Sequence, residues 1–153
     1  MDKYITDFIS SRNHFIETLS KFPIEKREDV LFGKWSLKQV IAHFAAWDKF
    51  FGEVLVGFRN NVCPNHWGNI NRFNELNVEK REKLDFNNIY NEFILNGNDL
   101  IKEYELIAEE KKKDRIWKRK SFTPIKILQI ATIHYKKGQL KQIQKYINNY
   151  MVL

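Results

Sequence analysis

One cysteine, three prolines and six glycines are all that the 153 residues hold of the types that staple, stop or loosen a chain. The lone thiol, Cys63, excludes an internal disulfide and a multi-cysteine metal cluster. No apolar run approaches the roughly 18 residues of a membrane span, so no membrane association is expected. The opening MDKYITDFIS lacks the basic start and apolar core of a secretory signal, and the expected location is cytoplasmic. No self-similar period of about 20–50 residues recurs, which excludes a repeat protein. With so few breakers, long uninterrupted helices are the natural outcome.

What is present suits a packed core. Hydrophobic residues make up 43% of the chain and aromatics 14%, with 12 Phe among them. A chain of this length is read as one domain, 1–153, able to bury roughly 70% of its unfolded surface. Net charge is +7. A basic balance invites a nucleic-acid reading, but a general Lys, Asn and Ile bias accounts for it as well.

Apolar positions Ile5, Phe8, Ile9, Phe15, Ile16, Leu19 and Phe22 recur at helical spacing over 2–22, and Pro23 ends that run. A loop follows to Trp35, which is placed like a hydrophobic staple residue. Ser36 and Gln39 stand in capping-box register before Leu37, Val40, Phe44, Trp47, Phe51, Val54 and Leu55. That pattern predicts a second helix to about Val56. Residues 57–68 are irregular, and 69–80 read as a short helix or ordered crossover. Asp85 is positioned to cap a third long helix, expected to run unbroken through Asn96-Gly97-Asn98 to Ile107. Thr123-Pro124 starts the last helix, expected to continue to about Asn149. No convincing strand is read anywhere, and four long amphipathic helices imply an all-α bundle.

The segment 111–120, KKKDRIWKRK, is read as a solvated loop too charged to pack. Trp117 within it allows a second reading, a grip on single-stranded nucleic acid through phosphate contacts and stacking. The aromatic stripe Phe44, Trp47, Phe50 and Phe51 reads first as core, and otherwise as the lining of a ligand cavity. His14 is expected to be exposed.

Trp35 to Asp48, WSLKQVIAHFAAWD, closely resembles the second-helix signature of the DinB/YfiT-like superfamily. Segments INRFNELNVEK (70–80) and Ile133-His134-Tyr135 with Gln142-Ile143 resemble its later motifs, and the chain also resembles ClbS/DfsB-type four-helix-bundle proteins. The resemblance implies an up-down-down-up four-helix bundle with a long crossover between helices two and three. It implies homodimers and a small-molecule ligand or substrate. It also implies a divalent metal, zinc or nickel, on three histidines, used by transferases and hydrolases as a Lewis acid. Carried over, two ligands are His43 and His134. The third falls at about Gly138, which has no donor atom. Asp48, His66 or Asn74 are the candidate substitutes, and a histidine restored at 138 is expected to raise metal affinity. Trp47, Phe44, Ala131, Gly138 and Asn74 are the candidate pocket residues.

Read from the residues alone, His43 lies about 70° from the centre of its helix's apolar stripe, at the margin of the buried face. His134 shares a face with Ile127, Ala131 and Gly138. The gap left by Gly138 reads either as a pocket beside His134 or as close packing or a kink. Three functions follow as expectations: a small-molecule pocket protein with or without metal chemistry, a non-enzymatic binding bundle that has lost the metal, and nucleic-acid binding through 111–120.

Overall fold

Every α-helix but the last begins where a short polar side chain satisfies the first exposed amides. The computed structural model describes residues 2–152; Met1 and Leu153, the ends of the expected 1–153 domain, lie outside the described residues. Helix α1 spans Lys3–Ser20, with Asp2 accepting from the Ile5 amide at 2.9 Å. Helix α2 spans Leu37–Arg59 and carries the expected capping box: Gln39 N–H donates to Ser36 Oγ, and Ser36 N–H to Gln39 Oε1. Asn69 caps α3 (Ile70–Lys80) and Asp85 caps α4 (Phe86–Glu105). Thr123 caps α5 (Pro124–Lys136), with Pro124 in its first turn. Such caps contribute about 1 kcal/mol each.

Four of the helices each place one ring at the centre of the core. Phe15 of α1, Phe44 of α2, Phe93 of α4 and Tyr135 of α5 lie with neighbouring centroids 4.7–6.2 Å apart. All four are fully buried. Helix α2 packs most extensively on α4, and α1 on α5, while α3 lies against α2. The fold is therefore the mostly helical bundle that the periodicity implies, and among the described residues no helix is long and apolar enough to cross a membrane.

Three local expectations are overturned. Val30–Phe32 (β1) and Trp35–Ser36 (β2) form a short antiparallel hairpin within the expected loop. Gly33, at φ +64°, makes its turn, and the hairpin is too short to show an alternating pattern. Phe22 and Phe32 pack there against Tyr146 of α6 (Gln139–Val152).

The last helix is two helices. Lys137 is extended and Gly138 takes φ +66°, which ends α5 and redirects the chain into α6. An L-residue in that conformation costs about 1–2 kcal/mol, so glycine is selected here as a hinge.

Finally, the basic segment packs in part, its other seven residues staying exposed. Lys112, Ile116 and Trp117 are buried. Lys112 Nζ lies 2.5 Å from Glu109 and 3.4 Å from Asp2, over the Tyr104 ring, so its stem is covered while its charge is paired. Trp117 donates its indole N–H to Pro64 O at 2.7 Å.

Candidate functional site

Helices α2 and α5 bring His43 and His134 together. Their ring centroids are 5.3 Å apart, above Phe44, which lies 5.6 Å from each. Trp35 of the hairpin lies 5.0 Å from His43, and Trp47, one turn along α2, lies 5.9 Å from His134. Helix α3 closes the side: Phe73 packs on Trp47 at 4.1 Å, and Asn74 Oδ1 accepts the Trp47 indole N–H at 2.7 Å. The result is a pair of imidazoles inside an aromatic surround. His43 is only 7% exposed, and His134 is half-buried.

Both rings are neutral at pH 7. Burial pushes the His43 pKa down to about 3, helped by repulsion from His134 and opposed by the Asn74 side chain. Burial likewise lowers that of His134. Each ring keeps a buried Nδ1 with no hydrogen-bond partner. An unsatisfied buried polar atom costs about 1–3 kcal/mol, so each of the two calls for an explanation.

Two neutral imidazoles on one tetrahedral zinc, with Zn–N about 2.0–2.1 Å, place their ring centroids roughly 5 Å apart. The observed spacing suits such a pair, but the remaining donors do not follow. Among the described residues no group of three His, Cys, Asp or Glu side chains is placed to hold an ion. Asp48 is turned into the core, where Tyr135 OH donates to its Oδ2. Burial raises the Asp48 pKa to about 7, against the Tyr135 hydrogen bond and the Arg12 charge, so a metal would have to compete with both a proton and Tyr135 for this carboxyl. His66 accepts the Gly68 amide at its Nδ1, 3.1 Å away, within a separate cluster of Trp67, Trp117 and Phe122. Gly138 lies past the end of α5, so it no longer stacks one turn above His134, and a side chain there would meet open space. The donor set does not fit the three-histidine centre.

The pocket reading of Gly138 is corrected on the same ground: its missing side chain makes a hinge, not a cavity beside His134. Gly138→His is therefore expected to lower stability by about 1–2 kcal/mol and leave zinc affinity unchanged. Thermal unfolding and calorimetric titration check the two halves; a clear gain in zinc affinity would restore the helical register that the hinge interrupts.

Phe44 and Ala131 are fully buried core, with Phe44 forming the floor under the pair. Trp47 lies beside His134 and donates to Asn74. Sequence reasoning missed Phe73 and the proximity of Trp35 to His43, both supplied by non-neighbouring elements. It also missed Arg12, 5% exposed, whose guanidinium donates to Ile94 O and Asn98 Oδ1 at 2.8 and 3.1 Å. A signal existed: Arg12 sits four residues after Phe8 and three before Phe15, on the apolar face.

No family model matches the chain, and no curated protein matches it. The crystal structure of an uncharacterised protein from Escherichia coli UTI89 is similar, with TM-score 0.82 over 96% of this chain and 92% of that one, at 12% identity. The two chains share a fold.

Proposed function

We propose that this chain is a DinB/YfiT-like bundle, up-down-down-up with 57–84 as its long crossover, that binds a small molecule at the His43–His134 pair without a resident three-histidine metal. The observation that carries the reading is the convergence of two buried, neutral imidazoles whose Nδ1 atoms are unpartnered. A ligand bearing hydrogen-bond donors that opens the surround gives these buried atoms partners, and the flanking rings of Trp35, Trp47 and Phe73 offer apolar faces to its body. Burial lowers both pKa values, that of His43 to about 3, which weakens either ring as a general base at pH 7 and makes the pair a binding element first. Asn74, held by Trp47, fixes the α3 side of the site. The resemblance of 35–48 to the family's second helix supports the same reading, and a homodimer in the cytoplasm belongs to it.

Two measurements test this. Nitrogen-15 NMR of labelled imidazoles, titrated with phenols and small amides, is expected to shift both His43 and His134 together, with the effect lost in His43→Ala. Zinc added to untagged protein is expected to bind weakly and with little dependence on His43. Stoichiometric, tight zinc binding abolished by His43→Ala would replace the metal-free reading with the metalloenzyme one.

A further inference from the structure

A second site is built where the crossover from α2 meets the segment after α4. The chain leaves α2 and folds back on it: Val62 N–H donates to Gly57 O at 2.8 Å, with Asn61 at φ +58° between them. Gly57 is required for that close approach, since a Cβ there would stand 2.9 Å from Val62 O and 3.2 Å from Pro64 Cβ. Trp117 then clamps the crossover from the other side through its bond to Pro64 O, and Ile116 N–H donates to Phe122 O at 2.9 Å. Between the two segments lies an open groove of about 760 Å³.

Its chemistry is two-sided. Phe58 and Ile116 give an apolar floor, the exposed Val62 an apolar edge, and Arg115, Lys118 and Arg119 a cationic rim. The three cations are exposed, and among the described residues none has an acidic partner within 4.0 Å, whereas the nearby Asp114 lies 3.9 Å from Lys111. No acidic side chain lines the groove. Trp117 is buried with its indole bonded, so it offers no face for a base to stack on. That disfavours a nucleic-acid strand and favours a compact ligand whose charge meets the rim while its body covers the floor. The groove shares no lining residue with the histidine site.

We propose that this groove binds a free amphipathic anion: a single carboxylate, sulfonate or phosphate head on a short apolar body. Decanoate is the probe. Isothermal titration of the whole protein is expected to show decanoate binding about tenfold tighter than decanol, and about tenfold weakened by Arg115→Gln/Lys118→Gln/Arg119→Gln. The control carries the same charge change elsewhere, Lys102→Gln/Lys141→Gln/Lys145→Gln, and keeps the affinity. Cys63, exposed at the groove's edge, reports occupancy directly: decanoate is expected to slow its alkylation by iodoacetamide. Equal binding of decanol, equal loss in both triple variants, or unprotected Cys63 at saturating decanoate would overturn the proposal. So would rim-dependent binding to anionic vesicles or an oligo-dT strand that exceeds binding to decanoate.

Discussion

Gly97→Ala is expected to destabilise the protein by about 2–4 kcal/mol, although it sits inside a helix. On helix propensity alone the change would stabilise by about 1 kcal/mol. The opposite sign comes from Arg12. A Cβ at position 97 would lie 2.2 Å from Arg12 Nε and 2.5 Å from its Cζ. The guanidinium is not a loose surface end that swings aside. It is buried, bonded to Ile94 O and Asn98 Oδ1, and stands over the Phe93 ring. Displacing it breaks those two bonds, and hydrogen bonds made by a charged group contribute about 1.5–3 kcal/mol each. Partial relaxation brings the estimate down. Urea denaturation measures the effect, and a double-mutant cycle isolates its cause. In an Arg12→Met background, Gly97→Ala is expected to be neutral or mildly stabilising. An equal penalty in both backgrounds would show that the clash is not with Arg12.

A second large effect concerns pH, because two buried groups oppose each other across one window. Asp48 has a folded pKa of about 7 against an ordinary 3.8, so between those values the folded state keeps a proton that the unfolded state releases. Its contribution is fully present below pH 3.8 and is lost as pH rises to about 7, a loss of roughly 4 kcal/mol. His43 has a folded pKa of about 3 against 6.5, so in that interval the unfolded state binds the extra proton. Its contribution is therefore present above pH 6.5 and lost as pH falls to about 3, by roughly 5 kcal/mol. His134 acts in the same direction as His43.

From pH 4 to 6.5, then, the wild-type profile is a partial cancellation. Asp48→Asn keeps an oxygen to accept from Tyr135 OH but cannot ionise. It is expected to unmask the histidine slope, so that stability climbs by several kcal/mol across that range. His43→Leu is expected to do the reverse and flatten or invert the climb. Urea midpoints taken at half-unit pH steps for the three proteins decide it. Parallel curves for wild type and Asp48→Asn would mean that Asp48 ionises in the folded protein as readily as in the unfolded chain.

These two predictions bear on one connected interior. Tyr135 follows His134 on α5, and Asp48 follows Trp47 on α2, so the histidine pair and the Asp48–Tyr135–Arg12 group are adjacent faces of the same helices. Arg12 comes from α1, and its neighbour Gly97 from α4. All four long helices thus contribute to the surroundings of the site, and strain at Gly97 is expected to reach it through Arg12.

Helix starts were written in the chain itself. Ser36 with Gln39, Asp85, Asn69 and Thr123-Pro124 act within four residues of where they stand, so no tertiary knowledge is needed to read them. The apolar period that assembled the bundle is equally local, as is the continuity of α4 through Gly97. Tertiary structure decided whatever depended on an unlike segment arriving from elsewhere. It paired His43 with His134, enclosed them with Trp35 and Phe73, and buried Lys112 by bringing Asp2 to its charge. Gly138 shows the boundary most clearly. Helical spacing alone sets it over His134, but only the docking of α6 against α1 and the hairpin favours a sharp turn there. A periodic pattern constrains which face a residue takes while the helix lasts; packing decides how long it lasts.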